Sequence, residues 1–455
     1  MNMLLKGGIV VSSKTSKRAD VLISNEKIIA IGKNINTDAK VVDVTSKLLF
    51  PGFIDAHTHF DLEVSDTVTA DNFDFGTKSA IAGGTTTIID FATQNKGETL
   101  SNALNNWHVK AFSNSSCDYA FHMTISDWNN DVKNELPAMF EQGVTSFKVY
   151  MTYPLMKLCD KEIFDILTEL KKLGGIAGVH CENSGIIDGL AEEKKCNNQM
   201  AVSSHPLTRP DYAEAEAVNR LLNIAYAVNT PVIIVHLSTK AALDEVMRAR
   251  ARGQKVYIET CPQYLLLDED KYKLDFAESS KYVCSPPVRK AVDRKNLWRA
   301  LKREEIQTIC TDHCSFTTQQ KKAGENDFTK VPNGMPGVET RGFLMYTYGV
   351  KKKRISVSQM CAYLSENPAK LYGMYPKKGT IKVGSDADIV VYDLTAKQVI
   401  KAENMHSNCD YSPFENVKVD GRIDSVYLRG NKVFDGENIM DEKIGRYISR
   451  GKFDL

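Results

Sequence analysis

Short apolar runs punctuated by Gly, Pro, Asn and Asp recur along the whole chain, and their spacing changes twice. Up to about residue 50 the runs are close together: Gly8-Ile9-Val10-Val11, Ala19-Asp20-Val21-Leu22-Ile23, Lys27 to Gly32 and Val41 to Val44. Polar turns separate them, which predicts a small unit of short β-strands. From residue 51 to about 380 the rhythm becomes apolar run, polar break, amphipathic helix. Strands are predicted at Phe53 to His57, Thr86 to Phe91, Tyr119 to Thr124, Ser146 to Tyr150, Gly175 to His180, Val232 to His236, Val256 to Glu259 and Thr308 to Asp312. Near-continuous apolar strands alternating with helices predict a parallel sheet covered by those helices. Eight of them predict a (β/α)8 TIM-like barrel. Short strands return at Ala387 to Tyr392, Lys397 to Ile400 and Ser425 to Leu428.

The expected architecture is therefore α/β. Residues 51–380 form the barrel, and residues 1–50 and 381–440 together form one small β-sandwich domain. Residues 441–455 are a polar tail with scattered Ile444, Tyr447, Ile448 and Phe453, read as an arm onto a neighbouring subunit. The helices between strands are legible. After Asp160, read as an N-cap, Ile163, Ile166, Leu167 and Leu170 make one apolar face, Lys171 and Lys172 suit the C-terminal dipole, and Gly174 stops the helix. Thr239 to Arg252 and Ala213 to Val228 repeat the plan.

Composition changes this picture little but excludes much. The chain has 455 residues, 42% hydrophobic and 25% charged, with a net charge of +1, ordinary values for a globular protein with more than one core. The one dense basic run, Lys351-Lys352-Lys353-Arg354, reads as a solvated loop, so no nucleic-acid partner is expected. No apolar segment approaches a membrane span. Ten cysteines without a CxxC pair or a disulfide-framework spacing suggest reduced thiols and a cytoplasmic setting. There is no phosphate-binding glycine motif.

The candidate chemistry sits where the barrel strands end, which is where barrel active sites lie. Pro51-Gly52-Phe53-Ile54-Asp55-Ala56-His57-Thr58-His59 places two histidines two residues apart after an apolar strand. In an extended chain such residues point to one side, as two ligands of one metal ion must. Strand four carries Lys148, strands five and six end in His180 and His236, and strand eight ends in Asp312. A single histidine at a strand end is more often a bonded core residue than a ligand. Six such residues on one rim argue for a metal centre. His108, His122, His205, His313 and His406 are left as structural; His313 adjoins Asp312 and on a strand would face the other way.

This pattern resembles the amidohydrolase superfamily. Local motifs narrow the resemblance to dihydropyrimidinases and D-hydantoinases: Gly83 to Phe91, Phe147-Lys148-Val149-Tyr150-Met151-Thr152-Tyr153, Glu259 to Leu265, Thr311-Asp312-His313-Cys314 and Val331 to Glu339. It covers nearly the whole chain. The resemblance implies two divalent metal ions, usually zinc, with His57, His59 and Asp312 on one, His180 and His236 on the other, and Lys148 bridging them as a carbamate (N6-carboxylysine). A lysine ammonium is a donor-only cation that would repel metals, whereas its carbamate is an anion on a long stem. The implied reaction is hydrolysis of a cyclic amide in a dihydropyrimidine or 5-substituted hydantoin, giving an N-carbamoyl amino acid. A hydroxide shared by the ions attacks, Asp312 shuttles the proton, Tyr153 bonds the oxyanion, and backbone groups at Ser285 and Asn333 bind the ring. A homotetramer is implied as well. Dihydroorotases carry an arginine just after the paired histidines; here Phe60-Asp61-Leu62 follows, so an uncharged cyclic ureide fits better. Loop residues Leu62, Val64, Leu155 and Leu158 are candidates for sorting substrate side chains. Two other readings of the same motifs are allantoinase-like ring opening and a non-catalytic homologue acting in protein assembly.

Overall fold

A computed structural model describes residues 2–64, 66–440 and 443–454. The predicted barrel is present. Its strands are Phe53–Thr58, Thr85–Thr93, Asp118–Thr124, Ser146–Tyr150, Ile176–His180, Val232–Ile234, Val256–Thr260 and Thr308–Ile309. They lie in chain order, each parallel to the next. The first and last meet through a parallel bridge between Thr58 and His313, with the His59 amide donating to the His313 carbonyl at 2.8 Å.

Strands six and eight are shorter than the apolar runs predict, for a local reason. His236 and Asp312 have φ of 39° and 52°. A left-handed residue cannot continue a strand, so each ladder ends before its site residue turns. Helix Asp160–Leu173 buries the four predicted apolar residues, and Gly174 ends it at φ 77°. The cap differs from expectation. Asp160 is the first helical residue, Cys159 occupies the cap position, and Glu162 Oε2 accepts from the Cys159 amide at 2.6 Å.

The two chain ends build one β-domain. Its strands form a continuous mixed sheet in the order Asn431–Phe434, Lys418–Leu428, Ile389–Val399, Leu48–Pro51, Met3–Val11, Ser16–Ser24, Lys27–Gly32, with Lys40–Asp43 beside Met3–Val11. The sheet folds around Leu5, Val21, Ile23, Ile28, Leu49, Ile389, Val391 and Tyr427. Only Gly52 separates this sheet from barrel strand one. A Cβ there would lie 2.0 Å from the Thr86 hydroxyl, so only glycine allows the approach.

The tail packs within its own chain. Its described part, residues 443–454, lies on this chain's own barrel. The Ile448 amide donates to the Tyr119 carbonyl at 2.8 Å, and the buried Arg450 reaches the Ser146 hydroxyl at 2.6 Å and the Phe121 carbonyl. Ile448 and Phe453 join Ile54, Ile89, Ala120, Ile176 and Ile233 in one apolar cluster. Ile448 and Phe453 therefore help close the barrel floor, while Ile444 and Tyr447 pack against the main core. The Lys351–Arg354 run is exposed, as expected of a solvated loop.

The seam between strands eight and one depends on a buried arginine. Arg341 donates to the carbonyls of Ile54 and Ile309, both at 2.9 Å, and to the Thr85 hydroxyl at 3.0 Å, with Asp55 3.7 Å away. Asp55 in turn accepts from the Thr311 hydroxyl at 2.7 Å. Replacing Arg341 with Met leaves Asp55 buried without its cation, a change that typically costs about 3–5 kcal/mol. Chemical denaturation should show the loss. An unchanged midpoint in Arg341→Met would remove the guanidinium from the seam.

Candidate metal centre

Four histidines, one lysine and one aspartate meet at the mouth of the barrel. Asp312 Oδ1 lies 3.2 Å from Nε2 of both His57 and His59. Lys148 Nζ is 3.3 Å from His57 Nε2. The His236 ring centroid is 5.4 Å from that of His57 and 4.5 Å from that of His180. One ligand atom each of His57, His236 and Asp312 fit within 4.8 Å of one another. The structure thus gathers all six predicted residues. Three site positions are held in the left-handed region: Tyr153 at φ 69°, His236 at 39° and Asp312 at 52°. Such conformations cost of order 1–3 kcal/mol each in non-glycine residues and persist where the surroundings enforce them.

The ring nitrogens show how the imidazoles are aimed. His57 Nδ1 donates to Glu259 Oε1 at 2.6 Å, which fixes the tautomer and leaves Nε2 facing Asp312 and Lys148. His180 Nε2 donates to Glu182 Oε2 at 2.7 Å, leaving Nδ1 as its free ligand atom. Metal-binding histidines commonly give their second nitrogen to a carboxylate in this way. Burial, reinforced by Lys148, holds His57 well below the usual histidine range, and burial also lowers His180 and His236. Each shift favours the neutral imidazole, the form that ligates. Burial works against the Asp312 carboxylate, but His57, His59 and His236 hold it well below the ordinary range.

These residues fit divalent metal ions. One Asp312 oxygen faces Nε2 of both His57 and His59 at 3.2 Å, and a carboxylate oxygen gathered against imidazole nitrogens is the arrangement a shared cation satisfies. The donor set is imidazole nitrogen and carboxylate oxygen, which suits zinc-class ions. A second acidic group, Asp118, Asp386 and Asp388, also has ligand spacing. Its carboxylates close on the Lys378 ammonium at 2.6, 3.0 and 2.6 Å, so it is an ion cluster already filled by a cation.

Tyr153 stands beside this centre, its ring 5.3 Å from that of His180 and beneath the Arg209 guanidinium at 5.5 Å. Burial raises its hydroxyl to about 12, so it is a hydrogen-bond donor at neutral pH. The Ser285 hydroxyl donates to Asn333 Oδ1 at 3.1 Å, which joins the two predicted ring-binding loops. Of the predicted sorting residues, Leu62 is partly buried, Val64 sits in a small hairpin, and Leu155 is 74% exposed. Leu158 is a correction. It is 7% exposed and packed in the barrel core, so its side chain is committed to the scaffold.

Comparison with known proteins decides the family. The model of the amidohydrolase family matches residues 48–433. The chain is 42% identical to the D-hydantoinase of Geobacillus stearothermophilus, an alignment covering 100% of this chain and 97% of that one. It superposes on the crystal structure of dihydropyrimidinase from Brevibacillus agri with a TM-score of 0.99 at 42% identity, each chain fully covered. The L-hydantoinase (dihydropyrimidinase) of Arthrobacter aurescens gives a TM-score of 0.90 at 30% identity, covering 98% of this chain and 99% of that one. The chain belongs to the amidohydrolase family. Its full-length relatives place it among the hydantoinases and dihydropyrimidinases.

Membership in the amidohydrolases implies divalent metal binding, and it sets the remaining polar residues in context. Sequence reasoning missed Glu259, Glu182 and Arg209. Glu259 ends an apolar strand as the histidines do, and that signal was available. Glu182 and Arg209 carry none, because their meaning lies in a 2.5 Å contact between segments far apart in the chain. His313, expected to face away, does so: its Nε2 donates to Asp71 at 2.9 Å and its Nδ1 accepts from the Gly337 amide.

Glu259→Gln tests how far the family centre relies on this outer carboxylate. Loss of such a partner typically weakens metal binding about 10–100-fold. Competition with a chromophoric chelator should measure that drop. Affinity equal to the parent's would show that Glu259 does not orient His57.

Proposed function

We propose that the protein is a cyclic amidohydrolase that opens hydantoins and 5,6-dihydropyrimidines to N-carbamoyl amino acids. The observation that carries this reading is the meeting of His57, His59 and Asp312 beside Lys148 in a chain 42% identical along its length to a D-hydantoinase. The intact ligand set and these relatives favour an enzyme over a non-catalytic homologue.

His57, His59 and Asp312 would hold one ion, His180 and His236 the other, and Lys148 would bridge them as a carbamate. The nitrogen and oxygen donors support zinc. When bound, the ions supply Lewis acidity to the ring carbonyl and lower the pKa of water. The protein's own groups do the rest. Backbone groups at Ser285 and Asn333 hold the ring amide in the mouth of the barrel. The Tyr153 hydroxyl donates to the oxygen that gains charge as water adds, where one such donor typically contributes about 2.7–4 kcal/mol. Asp312 takes the proton released by the attacking water and delivers it to the ring nitrogen as the C–N bond breaks. Leu62, Val64 and Leu155 border this mouth in our reading and sort the exocyclic substituent.

Lys148 is suited to modification. Burial lowers its ammonium to about 8, with Asp312 and Glu259 opposing. A fraction on the order of a tenth is then neutral amine at pH 7. That amine attacks carbon dioxide, forming the N–C bond of the carbamate and releasing one proton. The homotetramer that the family resemblance implies is part of this proposal; Val109 on helix Leu100–Ala111 and Phe112 just past it are exposed apolar side chains that an assembly could cover. Ten unpaired cysteines support a cytoplasmic setting.

The test is a panel of dihydrouracil, dihydrothymine, aryl and alkyl hydantoins and allantoin, assayed before and after metal removal. Hydantoins and dihydropyrimidines should be opened, activity should vanish with a chelator, and zinc should restore it with saturation at two equivalents per chain. Turnover indifferent to chelation would sink the metal mechanism, and preference for allantoin would replace the substrate class.

Lys148→Ala should lose at least one ion and most activity. A short carboxylic acid supplied in solution should restore part of it, because the carbamate serves as a bridging anion. Lys148→Arg should not be rescued, since its guanidinium stays cationic and fills the space. A mass spectrum of the active enzyme showing only unmodified Lys148 would contradict the carbamate.

A further inference from the structure

Lys321 ends the short helix Thr318–Lys321 beyond strand eight and is 0% exposed. Its ammonium has no carboxylate partner among the described residues. It donates instead to three carbonyl oxygens, those of Val283 at 3.1 Å, Pro332 at 2.6 Å and Gly334 at 2.8 Å. The Phe316 ring lies 5.6 Å below it. The titratable groups facing it are Cys284, Cys314 and Cys409, which burial keeps as neutral thiols.

A buried ammonium without a counter-ion is costly, and burial pushes this one down to about 8. An apolar side chain would fill the same space without that cost. What it could not do is draw three carbonyl oxygens, whose negative ends repel, to one point. An ammonium has three donors and no acceptor, and here all three are used.

The carbonyls belong to the two loops proposed to bind the ring. Val283 lies two residues before Ser285, and Pro332 and Gly334 flank Asn333. The loops also touch directly, through the Gly334 amide on the Val283 carbonyl at 2.9 Å and Ser285 on Asn333 at 3.1 Å. Gly334 has φ 148°, and a Cβ there would lie 2.3 Å from the Cys314 carbonyl. The second loop is thus wedged between strand eight's exit and the ammonium.

We propose that Lys321 is a positioning residue for substrate: by gathering the Val283, Pro332 and Gly334 carbonyls it sets the gap between the backbone groups at Ser285 and Asn333 that grip the ring amides. This rests on the hydrolase reading above. Lys321 touches neither substrate nor metal ligands, so its loss acts on binding more than on chemistry.

The experiment compares the metal-loaded parent with Lys321→Met by hydrogen exchange and by steady-state kinetics on dihydrouracil. Amide exchange in segments 283–285 and 331–337 should quicken, and KM should rise about tenfold while kcat stays within about threefold. Metal content should equal the parent's. Unchanged exchange in both segments would overturn the clamp, as would an unchanged KM or a fall confined to kcat. Lys321→Gln, which can still donate two hydrogen bonds, should shift both readouts less in the same direction, and it decides the matter if the methionine variant does not fold. A parent that turns over no cyclic ureide would fail the hydrolase reading instead, and exchange, which needs no substrate, would still judge the clamp.

Discussion

Glu259 reaches from strand seven to His57 on strand one, and this 2.6 Å contact organises the mouth of the barrel. It makes His57 present Nε2 inward, where Asp312 and Lys148 wait at 3.2 and 3.3 Å. The same carboxylate oxygen accepts the His236 amide at 3.2 Å, at the point where that residue turns left-handed. One buried acid therefore fixes a ring on one strand and a backbone turn on another. Burial, with Lys148 and the His236 amide opposing it and the Asp312 charge adding to it, raises Glu259 to about 7. The acid is kept in this apolar setting by partners that are themselves site residues, which ties the order of the scaffold to the order of the site.

The strain at Tyr153, His236 and Asp312 follows from the same geometry. A strand directs side chains sideways, alternately in and out of the barrel. A ligand aimed at a point above the barrel needs the backbone to turn as the strand ends, and a left-handed residue does that in one step. The cost is borne by a rigid frame. Arg341 bonds strands one, two and eight, and Arg450 from the tail bonds strands three and four. Neither arginine touches the metal centre, yet both limit how far the strand ends can relax.

The sequence made the barrel legible because each strand is an apolar run and each helix is amphipathic. The six site residues were legible because a polar side chain ending an apolar run has few structural reasons to be there. Residues whose role is to bond distant backbone were not legible. Arg341 and Lys321 act on carbonyls up to 287 positions away in the chain, and a carbonyl is present at every residue. No residue pattern marks which one will be used. Leu158 and Leu155 show a second limit. They are three apart in one loop, yet one is in the core and the other is 74% exposed, because the local chain path decides which way each points. The tail's contacts with its own barrel were hidden for a related reason: Ile448 and Phe453 look unpartnered until the barrel floor exists to receive them.

That floor connects to the site through a short polar chain. Arg450 donates to the Ser146 hydroxyl at 2.6 Å, Ser146 donates to His122 Nδ1 at 2.5 Å, and His122 Nε2 donates to the Ala56 carbonyl at 3.0 Å. The last bond fixes the tautomer, since a carbonyl only accepts, and so fixes the direction of the others. Ala56 immediately precedes His57, and Ser146 lies two residues before Lys148 on the same strand. Phe91 stacks between the His122 and His59 rings, at 4.8 Å from each, with Lys148 Nζ 4.9 Å from its face. The tail thus supports from below the two strands that present the first histidine pair and the lysine. A segment that composition marks as a polar tail is, by its contacts, part of what keeps the proposed metal ligands in place.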